Sequence, residues 1–477
     1  MSGPMSLEPG GAEHDTLTLR LATPRPPRRR PRWALDDATL AIRLPGQGPD
    51  EEAVSTLAAE LADAIGPAVH PYEVAALLES EGLSASVIKE RYGHPNLFSL
   101  ATALYERVPR TFPEPPPAPD PWRPDTVRCL LRGVLFALPA LAHLLTAPLW
   151  PLTRYAPVLI VAGIASWAWG QALGHRAHLR LVTGRREASG TLLTGSLLGA
   201  AVATALALVP GPDGVALAVA AGQSLYLAAA GVLLVLARER LLLAALSPLV
   251  AGAAALPWWE PGPLVRTGLP LLALLATLAA AGHVLRQGRV GPPAPHAPRT
   301  PVRASLPYGL FGLAAAVLVV LTGRQQPYTV IALTLSMGPA EWLLYRYRGW
   351  SVAALRTSAT PGAFLLRSAG VLIGCIGAYL LLLLPAALLT GADPATPLLL
   401  AATLWTALLL QAFGVAWPPA LICLAAAGTA GTAGAAGAVA ALDLPPTPVV
   451  LPAVCAAAAL CLAVCALRLL GRPAPHA

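Results

Sequence analysis

Residues 127–186 read VRCLLRGVLFALPALAHLLTAPLWPLTRYAPVLIVAGIASWAWGQALGHRAHLRLVTGRR. Two apolar runs lie in this stretch, near 127–149 and 155–174. Arg128 and Arg132 stand at the start of the first run, Arg154 between the two, and Arg176, Arg180, Arg185 and Arg186 after the second. Each run has roughly the 20 residues that one helical crossing of a bilayer needs. The arginines therefore fall on one side, the other, and back. That is the mark of a helical hairpin whose basic ends stay on the cytoplasmic face.

Outward from this hairpin the pattern repeats. Further runs near 189–209, 213–237, 241–257, 264–285, 304–322, 328–346, 361–384, 397–413, 418–442 and 446–467 bring the number to twelve. Eighteen arginines, from Arg123 to Arg472, lie on the side of the N terminus. Three, Arg154, Arg266 and Arg324, lie on the other. The imbalance predicts a multi-pass protein of the cell membrane with both termini cytoplasmic. One joint, Gly414 to Trp417, carries no charge, so the tenth and eleventh runs either cross fully or form a re-entrant pair. The expected fold is all-α: a polytopic helical membrane protein with about 12 transmembrane helices. The long Pro-rich connection at 286–303 divides them six plus six, into bundles at 126–285 and 304–470.

Composition agrees. The 477 residues are 55% hydrophobic and 12% charged, about half the charge of a soluble domain. Met1–Gly10 has no apolar run behind a basic start, so no signal peptide is expected. The surplus of +8 is arginine, with Lys89 the one lysine, and it serves orientation. The six cysteines (Cys129, Cys375, Cys423, Cys455, Cys461, Cys465) all sit in apolar runs and form no metal-ligand spacing. No metal or cofactor is expected.

Before the first span the chain changes character. Residues 1–48 are rich in Pro, Arg and Gly, read as a disordered tail, and 111–125 as a stiff Pro-rich linker. Residues 471–477 form a second tail. Residues 49–110 predict a four-helix acidic module. Val54, Leu57, Leu61 and Ile65 share a face of the first helix, Pro71 opens the second, and Ser84 and Asn96 cap the third and fourth. The turn Gly82-Leu83-Ser84 suggests a helix-turn-helix, but ten acids against four bases between Asp50 and Arg110 give −6. A DNA reader needs a basic face, so no nucleic-acid partner is expected. Besides the bilayer, a cytoplasmic protein binding at 50–109 is the expected partner.

Charges inside spans are expensive and are usually paired or functional. Glu341 and Arg367 stand out. Each lies five or six residues from the cytoplasmic end of consecutive spans, about 8–9 Å deep at 1.5 Å per residue, so they are expected to pair or to gate. Gln171, Gln223, Tyr226 and Gln411 are candidates to line a cavity or to bridge helices. His143 and His283 read as core groups. Gly428, Gly431, Gly434 and Gly437 mark the eleventh span as either closely packed or a hinge. No nucleotide-binding, zinc-protease or esterase motif is present, so no enzymatic activity is expected.

The segment Trp169-Gly170-Gln171-Ala172-Leu173, with the basic loop through Arg185-Arg186 and the run from Thr191, resembles the second-to-third span region of polysaccharide flippases. These belong to the multidrug/oligosaccharidyl-lipid/polysaccharide exporter superfamily. Ser336-Met337-Gly338-Pro339-Ala340-Glu341-Trp342 is similar in the same way. The resemblance covers about forty residues and implies a flippase of two bundles and 12 to 14 spans that works without an ATPase. The acidic N-terminal module departs from that pattern. The expected function is a secondary transporter or flippase for an amphiphilic or saccharide-lipid substrate. The alternative is a membrane scaffold whose module recruits a partner. A polar cavity between the two halves favours transport, and a closed packed domain favours the scaffold.

Overall fold

A computed structural model describes residues 50–109, 123–150, 152–290, 301–358, 360–389, 393–438 and 447–472. The tail at 1–48, most of the linker at 111–125 and the centre of the 286–303 connection lie outside these residues. All regular structure among the described residues is helical, and the chain divides into two units that are taken separately.

The first unit is the module. Its helices are α1 (Glu51–Glu60), α2 (Ala62–Ile65), α3 (Pro71–Ser80), α4 (Ala85–Arg91) and α5 (Leu97–Arg107). The predicted first helix breaks at Leu61, giving five pieces rather than four. Asp50 accepts from the Ala53 amide, and Asn96 from the Ser99 amide at 2.8 Å, satisfying donors that a helix start leaves open. Val54, Leu57, Leu78, Ile88, Leu100 and Leu104 form its own core.

The second unit carries the spans. Its helices are α6 (Thr126–Ala137), α7 (Ala140–Thr146), α8 (Leu152–Thr183), α9 (Arg185–Leu206), α10 (Gly214–Val235), α11 (Glu239–Ala255) and α12 (Pro263–Arg289). After a 3₁₀ turn (Val302–Ser305) come α13 (Leu306–Gln325), α14 (Pro327–Leu335), α15 (Met337–Thr357), α16 (Pro361–Leu389), α17 (Ala395–Ala412), α18 (Trp417–Ala438) and α19 (Thr447–Leu470). Among the described residues, nine stretches are long and apolar enough to cross a membrane. The chain is a multi-pass, all-α membrane protein. The other three sequence-predicted positions are held by α11, by α14–α15 and by α18. The 18 residues of α17 and the 22 of α18 rise roughly 27 and 33 Å at 1.5 Å each.

The packing repeats with a period of six spans. In the first half α8 lies on α9, α9 on α10, α10 on α12, α11 on α12 and α6 on α11. In the second half α15 lies on α16, α16 on α17, α17 on α19, α18 on α19 and α13 on α18. The halves join through two crossings that are themselves equivalent under that shift: α6 against α14–α15, and α13 against α8. Small residues make both possible. A Cβ on Gly133 of α6 would stand 2.7 Å from the Leu335 carbonyl oxygen, and one on Gly338 of α15 would stand 2.7 Å from that of Cys129. At the other crossing, a Cβ on Gly312 of α13 would stand 3.1 Å from Ala168 Cα.

Candidate functional site

The α6–α15 crossing carries four charges. Arg128 and Arg132 stand one turn apart on α6 and so share a face. Glu239 is the first residue of α11, delivered there by a tight turn in which Ala237 takes φ 58°. A carboxylate at that position also meets the positive end of the helix dipole. Arg128 Nε donates to Glu239 Oε1 at 2.8 Å, and Arg132 Nε and Nη2 reach the same oxygen at 2.9 and 2.7 Å. Arg132 Nη1 donates to Glu341 Oε1. Arg132, Glu239 and Glu341 are 7%, 6% and 5% exposed, so this is a buried network, and its one bond between the halves is Arg132–Glu341. Trp342 Nε1 adds a bond from α15 to Thr126 Oγ1 of α6 at 3.1 Å.

The expected partner of Glu341 is thereby corrected. Arg367 is exposed, and its Nη1 donates to the Thr357 carbonyl and hydroxyl, both at 2.6 Å. Equal depth on consecutive helices fixes height but not direction. Glu341 points at α6, and Arg367 closes its own inter-helix turn. In the sequence Arg128 and Arg132 read as orientation charges, and Glu239 lies between the fourth and fifth apolar runs. Their signal was the four-residue spacing that puts both arginines on one face inside the apolar run.

Beside the network a cavity of about 310 Å³ lies between the halves. Glu341 and Gln171 line it, with Trp167, Thr334, Tyr379 and Trp405 among aliphatic neighbours. It runs from Glu341 toward Ile160, Val320 and Val330, near the helix ends farthest from Arg132. Gln171 is 5% exposed and finds no hydrogen-bond partner among the described residues, and Trp167 Nε1 is buried without one. A buried donor left unmet costs about 1–3 kcal/mol, which applies to Trp167 Nε1; Gln171 lines the cavity.

The other sequence candidates lie elsewhere. Gln223 bridges helices, donating to the Leu159 carbonyl at 3.1 Å, and with Tyr226 and His143 it lines a separate pocket within the first half. Gln411 is buried with neither amide atom bonded among the described residues, away from the cavity. His283 is paired with Gln287 at 2.9 Å. α18 runs unbroken through Gly428, Gly431, Gly434 and Gly437. A Cβ on Gly428 or Gly431 would meet nothing within 4 Å, so those two serve no close packing. The side surroundings of Gly434 and Gly437 lie outside the described residues.

No protein-family model matches the chain, and no curated protein does. Among solved structures it is similar to the inward-facing conformation of a multidrug resistance MATE family transporter of the MOP superfamily. The likeness has 12% sequence identity and a TM-score of 0.35, and covers 72% of this chain and 94% of that one.

Proposed function

We propose that the chain is a secondary transporter or flippase for an amphiphilic or saccharide-lipid substrate, working by alternating access of the bundles α6–α12 and α13–α19. The observation that carries this reading is the cavity between the halves, closed at one end by the Arg132–Glu341 bond. A scaffold needs no such void, and the polar residues Gln171 and Glu341 in its wall suit a ligand with a polar part. A volume of about 310 Å³ is at the small end of ligand sites, so it takes one portion of an amphiphile and leaves the rest in the bilayer. With the Arg132 end cytoplasmic, as the arginine imbalance favours, the cavity belongs to a state shut on the inside. The acidic module, with Val69, Tyr72 and Phe98 exposed, is the surface proposed for a cytoplasmic protein partner.

The test uses the full chain in liposomes containing a headgroup-labelled fluorescent lipid, with dithionite reporting the fraction that crosses. Wild type is expected to exceed empty vesicles, and Gln171→Leu and Ala316→Leu, both in the cavity wall, to fall toward them while still folding. Crossing no faster than in empty vesicles with this lipid or with a labelled saccharide-lipid, or equal rates for wild type and both variants, overturns the reading.

A further inference from the structure

The pocket inside the first half is larger than the cavity between the halves, about 490 Å³, and the transport reading does not use it. It is walled by α7, α10, α11 and α12, with His143, Tyr226, Leu249 and Leu274 among its residues. From the geometry and the bilayer setting we infer a binding site for one phospholipid, whose acyl chain fills this pocket and whose phosphate meets Arg266.

Three observations carry the inference. The pocket opens on apolar surface: Val215 and Leu271 of its own wall are 49% and 57% exposed, and Leu275, outside the wall on α12, is 62% exposed. Only 28% of the most apolar window of α12 is buried within the protein. On a membrane span such a surface faces hydrocarbon, so acyl chains are the molecules in contact with it. Next, Trp258 and Trp259 are 86% and 52% exposed just before α12. Exposed tryptophans beside a span end mark the headgroup level, and Thr267, in the first turns of α12, is part of the pocket lining. Finally, Arg266 stands at that same level. Its Nε donates to the Pro261 carbonyl at 2.9 Å and its Nη1 to that of Leu145 at 3.1 Å. This fixes the guanidinium and leaves Nη2 without a partner among the described residues. Both bonds are to neutral carbonyls, so the positive charge is uncompensated there and suits a phosphodiester. Chain below and phosphate above is the arrangement of a phospholipid.

Gly222 supplies the test. A Cβ there would meet only Leu274 Cδ2, at 3.6 Å, an ordinary contact. Gly222 and, one turn away, Ala218 line the pocket, so Gly222→Leu and Ala218→Leu are expected to fill it, with the melting temperature checking that each variant folds. Full-length protein in mild detergent is given phosphatidylglycerol or diacylglycerol, and native mass spectrometry counts what each chain retains. Wild type is expected to hold one phosphatidylglycerol. Gly222→Leu and Ala218→Leu should hold it about tenfold more weakly, and Arg266→Gln should lose the preference for phosphatidylglycerol over diacylglycerol. Equal retention by wild type and both filled variants overturns the site. So does a wild type that retains no phosphatidylglycerol, or one that retains diacylglycerol equally well.

Discussion

Gly133 and Gly338 meet backbone to backbone: a Cβ on Gly133 would lie 2.9 Å from the Gly338 amide nitrogen. Neither helix can yield to a methyl group there without moving the other. Gly133→Ala or Gly338→Ala should therefore force α6 and α15 apart and lengthen the Arg132–Glu341 bond. Overpacking of this kind costs about 1–3 kcal/mol. Thermal unfolding in detergent should show the loss, and spin-label distances between α6 and α15 should widen. Unchanged distances in both variants would show that the crossing relaxes elsewhere.

Arg132 is bonded to two carboxylates, and Glu341 to one guanidinium. Removing the first leaves Glu341 buried without its partner and Glu239 with Arg128 alone. Arg132→Met should accordingly approach the 3–5 kcal/mol cost, as an order of magnitude, of breaking a buried pair. Glu341→Gln keeps a hydrogen-bond acceptor for Arg132, which also retains Glu239, and should cost less. Melting temperatures of the two variants give the ranking, and the opposite order refutes it.

Arg367 lies on the surface and, among the described residues, bonds only to Thr357 and Ser358. Arg367→Gln should change stability by no more than about 1 kcal/mol and leave lipid movement intact. The exchange Glu341→Arg with Arg367→Glu should rescue nothing, as the melting temperature and the dithionite assay of the double variant would show.

Ala237 holds a left-handed conformation, φ 58°, in the turn that sets Glu239 in place. A side chain in that region costs roughly 1–2 kcal/mol. Ala237→Gly should remove part of this penalty, offset by the greater freedom of glycine in the unfolded chain. A melting temperature equal to or above wild type is expected, and a clear drop would mean that the Ala237 methyl is itself a needed contact.

His94 in the module is held below its ordinary value of 6.5, first by burial and then by the charge of Arg107. The unfolded module takes up this proton at higher pH than the folded one does. The associated stability is present above pH 6.5 and is lost as pH falls from there through the lowered folded value. Hydrogen-exchange protection of α4 and α5 in the full chain should drop between pH 7.5 and the acid side of this window, more in wild type than in His94→Gln.

The multi-pass, all-α character was legible because it depends on local facts: run length and apolar composition. The cavity was half legible. Gln171 and Glu341 stood out as polar groups in apolar runs, and both line it. The network was not, because Arg132 meets residues 107 and 209 positions away, and hydropathy carries no record of which face of a helix looks where. The six-span repetition of contacts was invisible for a related reason. The two crossings pair equivalent spans through different residues, Gly133 and Gly338 in one, Gly312 and Ala168 in the other.

The partition of the four charges has an electrical consequence. Arg128, Arg132 and Glu239 leave the first half with a net charge of +1 at this crossing, and Glu341 leaves the second with −1. A movement that draws the halves apart here displaces one unit of charge each way. A membrane potential acts on each with up to about 2.3 kcal/mol per 100 mV for a full traverse of the field. The close approach of α8 and α13 at Ala168, Gln171 and Gly312 is made by uncharged residues. Voltage can therefore act on the α6–α15 crossing through charges that the Ala168–Gly312 contact does not have.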